Sequence, residues 1–479
     1  MRAMEWRTLH APVFVTFVHF SLLGVKQSLL PHILSTAFEP GALARVLGQL
    51  ALITSLSACV CMPVMAAVAG RGRARGAALA AVLIDVVVEA CYAARGVASS
   101  LHALRALAVF HGASVVVVPL AQAAMVARRD GEGKEEGKFD TGRGALLASR
   151  YAVLGGAMSL GGVAGATCGS LVYHRVSPAA PFVAGAVASA VGAVVVAAGW
   201  PRSARRRDDE GRRRILDDEE RQADGDDAPP RCGADVFRGA SVLFVRPPSR
   251  RAFLLVCSFS LAHTGIAAAS VYFPYFKLRF GMRQQRFAAF LTSTHLLRFV
   301  AQGLFLPALP EKLLGPRLRH RALLAALLAK AAECFGLLYC RGPGDVLGLA
   351  LLYFPAGLAE PLMRAELMLE IPEADASYVK GAMAVLVLLL SRGVGPYASG
   401  ALFSLGAAGG RGVGPGAVFV AAGGLFLAAA YAAHESASCP RNDGTREREL
   451  SQILDVFGDE KRLPPARPVR SRSAQLKSV

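Results

Sequence analysis

Residues 201–227 read PRSARRRDDEGRRRILDDEERQADGDD. Arg205, Arg206 and Arg207, then Arg212, Arg213 and Arg214, alternate with Asp217, Asp218, Glu219 and Glu220. A segment this charged, broken by Pro and Gly, cannot bury a core, so residues 201–251 are expected to form a largely disordered linker. The surrounding chain has the opposite character. Apolar blocks run at 11–34, 43–69, 76–95, 101–126, 145–173 and 179–200 before the linker, and at 252–276, 287–309, 321–340, 345–369, 379–405 and 415–434 after it. Each is long enough to cross a hydrocarbon core, which takes about 20 helical residues. The charged stretch therefore divides twelve candidate spans six and six.

Composition agrees. Of the 479 residues 53% are hydrophobic, and the 18% that are charged crowd between the blocks. The 49 glycines suit helices that pack backbone to backbone in lipid. A formal net charge of +18 would suggest nucleic acid in a soluble protein. Here no basic face interleaved with aromatics accompanies it, and Lys and Arg gather in loops, so no nucleic-acid partner is expected. The nine cysteines are scattered, six of them inside apolar blocks, and Cys59-x-Cys61 lacks the second pair of a metal site. The first block is too long for the apolar region of a cleaved leader and is expected to serve as its own insertion signal.

Loop charge sets the expected orientation. With residues 1–10 inside, the loop after the second block carries Arg71, Arg73 and Arg75, and that after the fourth carries Arg128, Arg129, Lys134, Lys138 and Arg143. The loop after the eighth carries Lys312, Arg317, Arg319 and Arg321. Opposite loops mostly hold one basic residue each (Arg45, Arg95, Arg175, Arg341, Arg411), the exception being Lys277, Arg279, Arg283 and Arg286. By the positive-inside rule the N-terminus, the linker and the tail at 435–479 are expected to be cytoplasmic. The expected units are thus six-helix halves at 11–200 and 252–434, two parallel repeats around a midplane cavity.

Specific residues sharpen this. Leu9-His-Ala-Pro-Val-Phe-Val-Thr-Phe-Val-His19 opens the first block, and Tyr272-Phe-Pro-Tyr-Phe-Lys-Leu-Arg-Phe-Gly281 leads to Gln302-Gly-Leu-Phe-Leu-Pro307. Phe354-Pro355, Lys380-Gly381 and Gly395-Pro396 follow, with Gly400 and Phe403. In these stretches the chain resembles the major facilitator superfamily, in particular its tetracycline-resistance-like and hippocampus-abundant-transcript-like branch. The resemblance implies an all-α polytopic protein of twelve transmembrane helices in two pseudo-symmetric halves. It also implies a secondary transporter of a small organic solute, working by alternating access and open to proton coupling. In the family's loop between helices two and three an Asp latches the halves; Gly70 stands in its place here, beside the retained basic Arg71, Arg73 and Arg75. That departure implies a latch lost or rebuilt from other charges, and it keeps open a non-transporting receptor or scaffold acting through its linker and tail.

A charge inside a membrane helix is costly unless paired or wet, so each is a candidate site. The resemblance places helices one, four, seven and ten around the cavity. It thereby selects Lys26, with His19 beside it in helix one, His111 in helix four, His263 in helix seven, and Glu360 and Arg364 in helix ten. Glu360 and Arg364 are four apart and can satisfy each other; Glu360 is the first candidate for a protonatable group. Arg298 and Arg392 lie mid-block in helices eight and eleven, and with Lys26 they tilt the cavity toward an anionic solute. Asp85 and Glu89 fall on a helix the resemblance makes peripheral, where Glu89 is expected to pair with Arg105. Gly161, Gly165 and Gly169, every fourth residue, form a packing face; Gly156, Gly165 and Gly169 also resemble the front of an antiporter motif, Ser170 replacing its Pro. No phosphate-cradling loop, HExxH, paired CxxC or GxSxG exists, so neither an enzyme nor a cofactor is expected.

Overall fold

The computed structural model describes residues 3–68, 73–94, 100–126, 140–200, 238–309, 315–409 and 414–439. Gly70, Arg71 and most of the linker fall outside these residues, as does the tail beyond Cys439. The described chain is helical. Its first six helices are α1 (Ala3–Leu34), α2 (Pro40–Val68), α3 (Ala74–Ala93), α4 (Leu101–Val115, continued by Val117–Val126), α5 (Asp140–Arg175) and α6 (Ala180–Gly199). The last six begin with α7 (Arg250–Phe280) and α8 (Gln284–Phe299, continued through Val300–Phe305 and Leu306–Ala308). They end with α9 (Pro316–Tyr339), α10 (Pro343–Glu370), α11 (Glu373–Leu389, continued through Leu390–Val394 to Gly395–Ala407) and α12 (Ala417–Ser438).

Eleven of these helices are long and apolar enough to cross a membrane. The twelfth, α8, has the length but carries Thr292, Ser293, Thr294, His295, Arg298 and Gln302 along its course. Three of them, His295, Arg298 and Gln302, border the central cavity described below. Outward-facing Val60, Val87, Val187, Val194, Leu351 and Tyr431 are exposed, as lipid-facing side chains should be.

Packing repeats across the two sets of six. Helix α6 lies against α1 and α3, and six helices later α12 lies against α7 and α9. The two sets meet along α2 with α11 and along α5 with α8, pairs related by the same repeat. Small residues make the close crossings possible. Gly161, Gly165 and Gly169 face Phe17, Ser21 and Val25 of α1 in register, and a Cβ on Gly165 would overlap the Ser21 carbonyl oxygen. This is the packing face that the fourfold spacing predicts.

Polar ties between the two sets gather at the end carrying the α1–α2 and α7–α8 connections. Lys277 Nζ donates to the Ser35 carbonyl at 3.1 Å. His174 Nε2 and Ser170 Oγ both reach Gln284 Oε1, at 2.7 and 3.1 Å, and Thr167 meets Thr292 at 2.9 Å. Bonds of this kind account for two of the four basic residues that broke the orientation pattern: Lys277 is spent on Ser35, and Arg279 on Tyr275 Oη and the Leu338 carbonyl.

Candidate functional site

Four helices of the last six depart from regular α geometry near their middles. Helix α7 tightens at Ala267–Val271 and α10 at Ala350–Leu352, whereas α8 widens at Val300–Phe305 and α11 at Leu390–Val394. Irregular backbone at membrane depth is tolerated where it is buried in protein or lines a cavity. A cavity of about 60 Å³ lies between the two sets of helices, and of the four irregular turns that of α8 reaches it, through Gln302. Phe20 borders it from α1, Tyr151 and Ser159 from α5, His295, Arg298 and Gln302 from α8, and Glu360 and Arg364 from α10. By that volume it holds a few waters in this conformation.

Its charges are cationic in excess. The Arg364 Nη2 and Nε atoms reach Glu360 Oε1 at 3.1 and 3.3 Å, the i,i+4 pair that the spacing predicts. The remaining two guanidiniums are not matched in this way. Arg298 borders the cavity with its Nε buried and without a hydrogen-bond partner. Arg392, in the wide turn of α11, stacks over the Phe20 ring of α1 at 5.1 Å, across the junction of the two sets. The cavity lining thus holds two guanidiniums against one carboxylate, and Arg392, which does not line it but stacks on the lining residue Phe20, raises the formal excess nearby to two positive charges. His263 stands behind them against Phe259, ring centroids 4.3 Å apart, with both ring nitrogens buried and unpartnered. Its charged neighbours are Glu360, Arg364, Arg298 and Arg392.

The structure thus brings together Arg298, Glu360, Arg364, Arg392 and His263 and separates them from Lys26 and His111, which do not border this cavity. Those two belong to a closed network inside the first six helices. Lys26 Nζ meets Glu89 Oε1 at 2.6 Å and His111 Nδ1 at 3.3 Å. His19 Nδ1 meets Asp85 Oδ2 at 2.9 Å, and His111 Nδ1 lies 3.6 Å from Asp85 Oδ1. The expected Glu89–Arg105 pair does not form. Glu89 points inward to α1, and Arg105 donates instead to Gln49 Oε1 at 3.1 Å. Asp85 and Glu89 are accordingly core residues, 2% and 0% exposed, rather than peripheral ones.

Two further networks have no counterpart in the expectations. Lys330 and Glu333 of α9 pair at 2.6 Å; Tyr272 Oη donates to Glu333, and Lys330 lies 3.8 Å from the centroid of the Tyr353 ring. The signal was present, since both charges sit inside an apolar block three residues apart. At the end where α1 begins and α12 finishes, Arg251 of α7 and Arg319 of α9 converge on Glu366 of α10 at 3.0 and 2.7 Å, and Arg251 reaches Glu370 at 3.1 Å. Arg319, expected in a loop, is 1% exposed in the first turn of α9. Arg73 and Arg75, by contrast, are exposed at the start of α3.

The model of the Major Facilitator Superfamily matches residues 13–396. The chain belongs to the major facilitator superfamily. Solved structures agree at the level of fold. The chain is similar to the human organic anion transporter MFSD10 (TETRAN), with 17% identity over 90% of this chain and 100% of that one, at a TM-score of 0.60. It is similar also to the nucleoside transporter NupG (14% identity, 90% and 98% covered, TM-score 0.57) and to the proton:xylose symporter XylE (14%, 88% and 94%, TM-score 0.60). No curated protein matches the chain by sequence. This superfamily member is therefore an integral, multi-pass membrane transporter rather than an enzyme. Within the superfamily, the branch suggested by the sequence is not distinguished by these matches.

Proposed function

We propose that the protein carries a small organic anion across the bilayer by alternating access, binding it in the cavity between the two sets of six helices. The observation that carries this reading is the uncompensated pair Arg298 and Arg392 beside the Arg364–Glu360 pair. Two extra guanidiniums at membrane depth are stable only beside water or an anion. A carboxylate or sulfonate matches their planar donor forks in geometry and charge. The aromatic faces of Phe20 and Tyr151 suit an apolar body behind that head group. Likeness to a human organic anion transporter bears on fold, and the anionic reading stands on the arginines.

The mechanism follows from where the residues sit. Phe20 and Tyr151 belong to one set of six, and Arg298, Glu360 and Arg364 to the other, so a solute held among them is gripped by both. An arriving anion competes with Glu360 for Arg364, which exchanges one charge-assisted bond for another. Rocking of the two sets along α2–α11 and α5–α8 then exposes the cavity to alternate sides. The ties from Ser35, Gln284 and Thr292 would break as that end opens. Loop charge supports cytoplasmic termini, which puts those ties at the outer face.

The test is flux into proteoliposomes of radiolabelled succinate, glutarate and benzenesulfonate, with glucose and choline as neutral and cationic controls. Uptake of at least one anion, and of neither control, is the expected result. Flux of choline or glucose alone would overturn the anionic reading. No flux of any solute, with capture of partners by residues 201–251, would favour the receptor alternative.

A further inference from the structure

The superfamily reading assigns no role to one buried group of charges, made of His19 and Lys26 on α1, Asp85 and Glu89 on α3, and His111 on α4. All five are at most 8% exposed. Asp85 is flanked by two imidazoles, His19 at 2.9 Å and His111 at 3.6 Å, whose rings stack at 5.9 Å and 21°. Lys26 and Glu89 form the adjoining pair at 2.6 Å. Of the remaining neighbours, Tyr92 lies under Lys26 with its ring centroid 5.4 Å away, Ser114 bonds His111, and α6, which holds no titratable residue, brings Gly185 against Glu89.

Two carboxylates face one lysine, so with both imidazoles neutral the group carries one net negative charge in a site closed to water. An uncompensated buried charge is heavily penalised, and one added proton removes it. A place for that proton is built in. His19 uses Nδ1 on Asp85, while its Nε2 is buried with no hydrogen-bond partner, so protonation there breaks no existing bond. We infer that this group is a proton-binding site, in which one proton shared by His19 and His111 against Asp85 couples the transport cycle to pH.

The cavity carboxylate is the poorer candidate. Glu360 is already paired with Arg364 in surroundings that hold two more guanidiniums, and adding a proton there would raise the local excess charge rather than cancel it. The proton site has a mechanical route to the cavity. His19 is followed on α1 by Phe20, which borders the cavity and carries Arg392 on its face from the other set of helices. With the proton bound, the bond from His19 to Asp85 becomes charge-assisted and ties α1 to α3, with His111 of α4 alongside at 3.6 Å. Once it leaves, that bond weakens, and α1 is freer to shift against α3. The proton enters and leaves as such, so the group alternates between zero and one net negative charge with no covalent change.

The coupling role rests on the transport reading above; the proton site itself does not, and the two are tested separately. Infrared difference spectra of the purified protein between acid and alkaline buffer report imidazole and carboxyl protonation without any solute. A free imidazole titrates between about pH 5 and 8, so buffers set well outside that window on either side give the signal room to appear. The expected result is one imidazolium feature that is lost in Asp85→Asn, where Glu89 and Lys26 already balance. It should persist in the double variant Lys26→Met/Glu89→Gln, where Asp85 alone still calls for the proton. An identical spectrum in wild type and Asp85→Asn would overturn the site, as would a carboxyl band that disappears with Glu89. Flux of benzenesulfonate, charged at every pH used, then tests the coupling. A pH gradient should alter net uptake in wild type and leave Asp85→Asn unaffected while exchange continues. Transport indifferent to the gradient in wild type would overturn the coupling and leave the anion reading standing.

Discussion

The two groups of buried charge in this transporter are built on opposite rules. Inside the first six helices Lys26, Asp85, Glu89, His19 and His111 touch one another closely and border no part of the central cavity. Between the sets, Arg298, Arg364 and Glu360 line a cavity, Arg392 stands behind its Phe20, and positive charge is left over. Charge inside one half is balanced by the protein's own groups and by the one inferred proton, because no solute reaches it. Charge at the junction can be left unbalanced, because a solute of opposite sign completes it. The balance of each group thus separates a structural and proton-holding role from a solute-binding one.

The largest test of that contrast is Lys26→Met. It strands Glu89 without its partner, and breaking a buried pair from one side costs about 3–5 kcal/mol. Thermal unfolding in detergent should show the loss, with most of it recovered in Lys26→Met/Glu89→Gln. A single variant as stable as wild type would mean that the network is wet or unpaired. Arg298→Gln should behave the other way. Its folding stability should hold, while the KM for the transported anion rises roughly tenfold to a hundredfold, matching the loss of about 1.5–3 kcal/mol for a charge-assisted bond.

Glu360→Gln should move in the reverse sense by less. Freed from its carboxylate, Arg364 is available to solute, and anion KM should fall severalfold, with exchange of solute retained. A loss of pH-driven flux in this variant, with the buried network intact, would transfer the proton from His19 and His111 to Glu360. Arg105→Ala should do least. Its partner is Gln49 rather than Glu89, so a change within about 1 kcal/mol is expected. A loss as large as that of Lys26→Met would restore the Glu89–Arg105 pairing.

The fold was largely legible, and the reasons are physical. A span needs a length of apolar chain, and that length is written in consecutive residues; even α8, diluted by His295, Arg298 and Gln302, lay close to the block drawn for it. The i,i+4 pair Glu360–Arg364 was legible for the same reason, since one helix fixes both partners. Pairing between helices was not. Glu89 and Arg105 sit near the same end of neighbouring helices, yet the rotation of α3 aims Glu89 at Lys26 on α1. Arg319 looked like a loop residue because its partner Glu366 lies far along the chain in α10. The irregular turns carrying Gln302 and Arg392 left no mark that composition or periodicity could detect, since π-type widening depends on packing.

One measurement bears most directly on the central claim, that the unbalanced arginines at the junction bind an anionic solute. It is benzenesulfonate flux in proteoliposomes holding equal amounts of wild type, Arg298→Gln and Lys26→Met/Glu89→Gln. The account predicts saturable uptake by wild type, a KM at least about tenfold higher in Arg298→Gln, and near-normal affinity in the double variant. Equal affinity in wild type and Arg298→Gln, with the loss appearing in the double variant instead, would place the solute in the buried network and contradict it.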